Sequence, residues 1–207
     1  MKQSQWWREA ILYQIYPRSF QDSNGDGIGD LRGVINRIDH LKDLGINTVW
    51  ICPFYDSPDD DNGYDIRDYR KIHSEFGDME TFEELLEKVH AADIRLVIDM
   101  VVNHSSDEHH WFQEAVKSKN NNYSDYYIFK DADGKSRPPN NWVSIFGGST
   151  WKWCDQREQF FLHLFSKKQP DLNWENDRVR DEIVDMMHYW MKTLSFQFFI
   201  NGCSARA

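Results

Sequence analysis

Cysteine and clustered basic residues are scarce in this sequence, and each scarcity narrows the possible functions. The three cysteines, Cys52, Cys154 and Cys203, have no metal-ligand spacing and cannot all pair. This pattern argues against a zinc site or a disulfide framework and suits a reducing compartment. The formal net charge is −10 and no Lys/Arg-rich run occurs. Nucleic acid and anionic membrane surfaces, which attract basic patches, are therefore not expected as partners.

Long apolar runs are also missing. No segment has the length and apolar character of a membrane-spanning helix. Residues 1–12 carry Trp6, Trp7, Arg8 and Glu9, where a secretion signal needs an uninterrupted apolar stretch. We therefore expect a cytoplasmic protein without a membrane partner.

Aromatic residues, by contrast, are abundant. The 207 residues are 40% hydrophobic and 15% aromatic, with nine Trp, nine Tyr and thirteen Phe. This composition supports a domain with a substantial buried core. Aromatic faces also stack on sugar rings, although most of them fill cores. A neutral ligand fits this chain better than a charged one.

Hydrophobic periodicity predicts strands that alternate with helices. The predicted elements are strands over residues 10–16, 46–51 and 95–102 and helices over residues 31–44, 79–92 and 176–190. Gly45 is expected to end the first helix, and Asp78 and Asn176 are expected to cap the other two. Such alternation builds a parallel sheet with helices packed outside it. Residues 104–173 show no long helical period and interrupt the alternation of strands and helices. They are predicted to form an inserted subdomain with short strands.

A glycine-rich loop at residues 22–30 places oxygen-bearing side chains at every second position. This spacing suits Ca²⁺ and matches the first half of an EF-hand loop, but Gly33 stands where the closing Glu belongs. The candidate ligands are Asp22, Asn24, Asp26, Asp30 and the carbonyl of Ile28. A solvated pair of Asn-Gly and Asp-Gly turns explains the same residues equally well. A metal on this βα loop would be structural rather than catalytic.

Two further polar groups follow predicted strands. Asp-Asn-Gly-Tyr-Asp at residues 61–65 comes after the second strand, and Asn103 and His104 end the third. In α/β barrels the carboxyl ends of the strands hold the active site. Asp99 lies within the third strand, where a buried carboxylate needs a partner, and a cation from a neighbouring strand is expected.

These motifs resemble the α-amylase family of glycoside hydrolases. Residues 99–104 resemble its first conserved region, and Gln-Pro-Asp-Leu-Asn at 169–173 resembles a stretch typical of oligo-1,6-glucosidases and related enzymes. Residues 6–7, 13–20, 60–66 and 165–168 also resemble these enzymes, so the match is very specific. It implies the N-terminal part of a (β/α)₈ barrel, about three to four strands, with a subdomain inserted after the third. The implied segments are barrel at 1–103, insertion at 104–173, a barrel helix at 174–193 and a divergent tail at 194–207.

The resemblance further implies a pocket for glucose or the terminal glucose of short α-glucosides. Asp61 would bond sugar hydroxyls, Tyr64 would stack under the ring and His104 would contact the primary hydroxyl. The other implied residues are Phe146, Phe165 and Gln169 as pocket lining and Asp99 and Asn103 as support.

The catalytic residues of the family have no counterpart in this sequence. A retaining glycosidase needs two carboxylates about 5 Å apart, which the family supplies from an Asp on the fourth strand and a Glu on the fifth. Continuing the register from Trp190 aligns the family's arginine and its nucleophile with Phe199 and Asn201. The resemblance is lost from Thr193, which suggests a frameshift or a truncated gene model. We therefore expect a chain that stops before the catalytic residues and is inactive.

The parent activity implied by the resemblance is an α-glucosidase of the oligo-1,6-glucosidase type, acting with retention. Trehalose-6-phosphate hydrolase, dextran glucosidase, sucrose isomerase and trehalose synthase share the same motifs and stay open as alternatives. A non-catalytic sugar-binding remnant is also possible. A relative of the amino-acid transporter heavy chains would need a membrane anchor, which is not found here.

Overall fold

The computed structural model describes residues 6–132, 135, 137–193 and 198–200. These residues form two compact units. The first contains residues 6–54, 71–100, 188–193 and 198–200; the second contains residues 55–70 and 101–187. Within the described residues, no helix has both the length and the apolar character needed to cross a membrane.

The elements, in chain order, are β1 (Leu12–Ile15), α1 (Pro17–Phe20), α2 (Leu31–Ile35), α3 (Ile38–Asp43), β2 (Thr48–Ile51), β3 (Tyr55–Asp56), β4 (Asp68–Ile72), α4 (Met79–Ala91), β5 (Arg95–Asp99), α5 (His110–Ala115), β6 (Phe129–Lys130), β7 (Trp151–Cys154), β8 (Gln159–Leu162), α6 (Asp177–His188) and β9 (Phe198–Ile200).

The first unit is built on a parallel sheet in the order β1-β2-β5-β9. Ile15 pairs with Ile51, Ile51 with Ile98, and Asp99 with Ile200. The three predicted strands are confirmed as β1, β2 and β5, and β9 adds a fourth inside the predicted tail. Helices between consecutive parallel strands are the arrangement that the alternating pattern predicts.

The predicted helix over residues 31–44 is wrong in one respect, because it is divided into α2 and α3. The backbone of Arg37 leaves the helical region, with φ −112° and ψ 9°. Its amide bonds the carbonyl of Val34 at 3.0 Å, only three residues back. Gly45 follows α3 with φ +76°, as expected after a helix end.

The caps of the other two helices are confirmed. The side chain of Asp78 accepts a hydrogen bond from the amide of Thr81 at 2.8 Å, and that of Asn176 accepts one from the amide of Arg178 at 3.0 Å. Each bond satisfies a backbone donor that has no partner within its own helix.

Aromatic rings fill part of the first unit's core. Phe82 of α4 is fully buried and stacks on Phe54, with ring centroids 5.0 Å apart. The Trp190 ring meets both edge-on, at 5.4 Å from Phe82 and 5.9 Å from Phe54. Fully burying a large apolar side chain contributes roughly 1.5–3 kcal/mol. These contacts hold α4 close to the chain segments at Phe54 and Trp190.

The second unit contains an antiparallel sheet in the order β6-β8-β7, which confirms short strands in the insertion. Trp151, Phe160 and Leu162 form its apolar core. The short helix α5 was not predicted, because six residues are too few for a clear period. It is capped by His109, whose Nδ1 accepts a hydrogen bond from the amide of Trp111 at 3.1 Å.

Arg157 joins the sheet of the second unit to its helical part. Its side chain is buried and donates to the carbonyls of Ala115 and Ser124, both at 2.9 Å. The guanidinium also lies 3.7 Å from the ring centroid of Phe129. A buried guanidinium needs such acceptors to replace water. Arg157 therefore links the end of α5, through Ala115, to β6, through Phe129.

Candidate functional site

The loop that carries Asp61 is shaped by a buried carboxylate, Asp65. Its oxygens accept hydrogen bonds from the amides of Asp60 and Asp61, each at 3.0 Å, and from the Ser57 hydroxyl, also at 3.0 Å. Burial raises the pKa of Asp65, while these donors act in the opposite direction. Asn62 and Gly63 both have positive φ, at 50° and 90°. This tight turn fixes the backbone of Asp61.

Asp61, Gln169 and His104 meet within the second unit. Nε2 of Gln169 donates to Oδ2 of Asp61 at 2.8 Å and lies 3.1 Å from Nε2 of His104. The Gln169 side chain is fully buried, and its Oε1 accepts a hydrogen bond from the amide of Ser166 at 2.9 Å. Three of the predicted pocket residues are thus brought into direct contact.

His104 is a neutral, oriented imidazole. Its Nδ1 lies 3.2 Å from Nδ2 of Asn103 and its Nε2 lies 3.0 Å from the carbonyl oxygen of Tyr64. A proton on Nε2 lets the ring donate to Tyr64 and accept from Asn103, whereas a proton on Nδ1 leaves Nε2 to accept from Gln169 instead. Burial lowers the pKa of His104 to about 4. The ring is therefore uncharged at neutral pH.

Two phenylalanines continue the site from His104 towards solvent. The rings of His104 and Phe165 are 5.1 Å apart, and those of Phe165 and Phe146 are 6.1 Å apart. Phe146 is 61% exposed. Tyr64 contributes its backbone, through its carbonyl and through its amide, which donates to the carbonyl of Asp61 at 3.0 Å. All six predicted pocket residues belong to the second unit.

The side-chain amide nitrogen of Asn103 contacts both His104 and Asp171. Nδ2 of Asn103 donates to Oδ1 of Asp171 at 3.2 Å, and the amide of Leu164 donates to the same oxygen at 3.1 Å. Burial raises the pKa of Asp171 to about 7. Sequence reasoning did not select Asp171 as a site residue. The available signal was its position inside the stretch 169–173.

Asp99 lies in the first unit, at the end of β5, and is fully buried. The strand beside it is β9, in which Phe199 pairs in register with Ile98. The sequence thus has Phe199 where the resemblance expects an arginine. Asn201, the position aligned with the family's nucleophile, lies outside the described residues.

The loop at residues 22–30 contains the candidate calcium ligands in the first unit. Asp22 accepts hydrogen bonds from the amides of Gly25 and Gly27, at 2.7 and 2.8 Å. These amides, Gly27 first, lower the pKa of Asp22. Asp26 accepts one from the amide of Ile28 at 2.7 Å. The all-oxygen donor set fits Ca²⁺, and the same bonds are those of consecutive Asx turns.

Asp30 has a second role in this loop. Its Oδ1 accepts a hydrogen bond from the amide of Gly33 at 2.6 Å and so caps α2. An added Cβ at Gly33 would stand 1.8 Å from the carbonyl oxygen of Gln21, so no larger residue fits there. Gly33, which stands where an EF-hand loop has its closing Glu, is therefore required for the close approach of the backbone at Gln21.

Comparison with known proteins identifies the family to which this chain belongs. Residues 14–199 match the α-amylase catalytic domain, and the chain belongs to the α-amylase family. Its parallel sheet is the N-terminal part of that family's (β/α)₈ barrel. The match extends to residue 199, beyond Thr193, where the resemblance was expected to be lost, and it reaches the first two residues of β9.

Individual relatives are close in sequence and structure. The chain is 60% identical over 188 residues to an oligo-1,6-glucosidase of Heyndrickxia coagulans, covering 91% of this chain and 34% of that protein. The crystal structure of trehalose-6-phosphate hydrolase from Bacillus licheniformis matches 94% of this chain, with a TM-score of 0.90 and 49% identity. An isomaltulose synthase variant from Erwinia rhapontici NX5, in complex with its natural substrate sucrose, matches with a TM-score of 0.90 and 52% identity. The chain covers 35% of each of these two structures, and it spans about a third of the length of its curated relatives.

Proposed function

We propose that this chain forms the glucose-binding part of an α-glucosidase of the oligo-1,6-glucosidase type. The observation that carries this proposal is the hydrogen bond from buried Gln169 to Asp61 beside the neutral ring of His104. Asp61 offers acceptors to sugar hydroxyls, and Phe165 and Phe146 offer apolar ring faces. Such a mixture of few fixed polar groups and aromatic walls suits a neutral sugar. The relative from Heyndrickxia coagulans bears that enzyme name.

Charge near the pocket favours neutral glucosides over trehalose-6-phosphate. Nζ of Lys168, the residue before Gln169, lies 3.5 Å from Asp107 and 3.7 Å from Asp60. Two carboxylates therefore compete with any phosphate for this ammonium group. We infer that isomaltose and glucose bind better than phosphorylated sugars, and that trehalose-6-phosphate hydrolysis is the weaker alternative.

Binding rather than turnover is the expected activity of the 207-residue chain. Hydrolysis with retention requires a nucleophilic carboxylate and an acid, and the aligned nucleophile position holds Asn201. In a complete α-glucosidase, the residues described here would orient the terminal glucose towards those two groups.

The test is a calorimetric titration of the purified chain with isomaltose, glucose, maltose, sucrose, trehalose and trehalose-6-phosphate. Gln169→Leu removes both polar atoms of the buried amide and should weaken isomaltose binding about tenfold, or about 1.4 kcal/mol. The exposed residue Gln156 provides a matched control as Gln156→Leu, which should bind like the native chain. Equal affinities for all three proteins would refute the pocket, and a preference for trehalose-6-phosphate would favour the alternative.

We also propose that the loop at residues 22–30 binds Ca²⁺ as a structural ion. The support is an oxygen donor at every second position of the loop. The ion would be held by Asp22, Asn24, Asp26, Asp30 and the carbonyl of Ile28, and the loop would stabilise the start of α2. The loop lies in the first unit, whereas the pocket residues lie in the second, so the ion would affect stability rather than sugar binding.

We propose the cytoplasm as the compartment. Cys154 is a buried free thiol. Unpaired thiols are typical of proteins that work under reducing conditions.

A further inference from the structure

A second cleft lies within the second unit, apart from the Gln169 pocket. Its volume is about 1090 Å³. None of the six pocket residues lines it, although Asn103 and Asp171, which support His104, form part of its wall. Ligand clefts typically measure about 300–1,000 Å³. This cleft is therefore large enough for more than one sugar ring.

Two exposed indoles give the cleft aromatic walls. Trp142 and Trp174 both line it and are 47% and 42% exposed. Nε1 of Trp174 donates to the carbonyl of Val102 at 2.9 Å, which fixes the ring. The amide of Trp142 donates to Oδ1 of Asn140 at 3.0 Å, and the same oxygen accepts a hydrogen bond from Nε1 of Trp151 at 2.8 Å. These bonds order the walls before any ligand arrives, which lowers the entropic cost of binding.

The charges of the residues that line the cleft nearly cancel. Its ionisable lining residues are Lys119, Lys130 and Arg157 on the basic side and Asp125, Asp171 and Glu175 on the acidic side. Arg157 is engaged by the carbonyls of Ala115 and Ser124, and Lys119 lies 3.4 Å from Asp131. An anionic ligand would find no excess of cations. A neutral ligand that is rich in hydroxyls suits this lining best.

We propose that this cleft is a second carbohydrate-binding site, which takes a neutral α-linked oligosaccharide of two or more glucose units. The apolar C–H face of a pyranose packs on Trp142 or Trp174, as apolar faces pack on aromatic rings generally. The side-chain amide nitrogens of Asn140 and Asn173 supply donors for the hydroxyls, and the carboxylate of Glu175 supplies acceptors. This site does not depend on the pocket at Gln169 and would exist even if that pocket bound nothing.

The experiment is a titration of the ¹⁵N-labelled 207-residue chain with maltotriose, followed by calorimetry on variants. The indole N–H signals of Trp142 and Trp174 should shift and saturate, whereas that of Trp7, which is 60% exposed in the first unit, should not. Trp142→Ala should weaken binding at the cleft about tenfold. Trp142→Phe should retain most of it, because it keeps an aromatic face. Trp7→Ala is the matched control and should bind like the native chain.

The two sites are distinguished by stoichiometry. The native chain should bind two equivalents of maltotriose, Gln169→Leu should weaken only the binding at the pocket, and Trp142→Ala should weaken only the binding at the cleft, each about tenfold. If Gln169→Leu has no effect while Trp142→Ala does, the proposed pocket fails and the cleft stands. If Trp142→Ala binds like Trp7→Ala, or if the indole signals do not move, the second site is refuted. Melting temperatures measured on the same samples show whether a variant has lost its fold.

Discussion

Replacing Asp171 by Asn should remove a pH-dependent loss of stability. Burial raises the pKa of this carboxyl to about 7 from its ordinary value of 3.8. The native state therefore holds this proton where the unfolded state has released it. Its stabilising contribution is fully present below pH 3.8 and is lost as pH rises through 7. Between pH 5 and the folded pKa the loss spans about two pKa units, or roughly 3 kcal/mol.

Urea denaturation of the native chain and of Asp171→Asn, at pH 5 and at pH 8, measures this loss. The variant keeps Oδ1, which accepts from Leu164 and Asn103, so its fold should be retained. Its free energy of unfolding relative to the native chain should rise by about 2–3 kcal/mol from pH 5 to pH 8. His104 is present in both proteins, so its own titration cancels. The exposed residue Asp181 serves as control in Asp181→Asn, which should show no such rise, and an equal difference at both pH values for Asp171→Asn would refute the reasoning.

Two further predictions concern the metal loop and the chemistry. Ca²⁺ should raise the melting temperature of the native chain and have less effect on Asp26→Ala, because an ion that binds only the folded state stabilises it; identical melting temperatures for both forms, with and without Ca²⁺, would count against the site. The purified chain should release no p-nitrophenol from p-nitrophenyl α-glucoside, and Asn201→Asp should not restore turnover, because retention needs a second carboxylate about 5 Å away. Turnover by contaminant-free protein, monitored by absorbance, would contradict this.

Most of the first unit could be predicted from local patterns. The strands β1, β2 and β5 are apolar runs, and Asp78 caps α4 as its residue type suggests. The break at Arg37 could not be predicted, because the apolar residues keep their helical spacing through it. Arg37 instead bonds Gln21 through its side chain at 2.8 Å, a contact with a residue outside the helix. Periodicity reports which face is buried and not whether the helix is continuous.

The candidate site could be predicted only through the resemblance. Asp61 and Gln169 are 108 positions apart, and no local pattern links two residues at that distance. Composition and spacing indicated polar residues at strand ends, but not which of them touch. Asp171 and Asp65 were missed as site residues because their roles depend on burial and on the backbone amides that surround them. The side-chain types alone do not reveal such surroundings.

The second unit is assembled from two separated stretches, Tyr55–Arg70 and Val101–Met187, and this has a consequence for synthesis of the chain. Gln169 leaves the ribosome 108 residues after Asp61. At about 5–20 residues per second, the Asp61 loop waits roughly 5–20 s for its partner. During that interval residues 55–70 have no complete unit to join. Co-translational folding of this unit is therefore delayed until the residues up to Met187 have emerged, and chaperones have that time to bind residues 55–70.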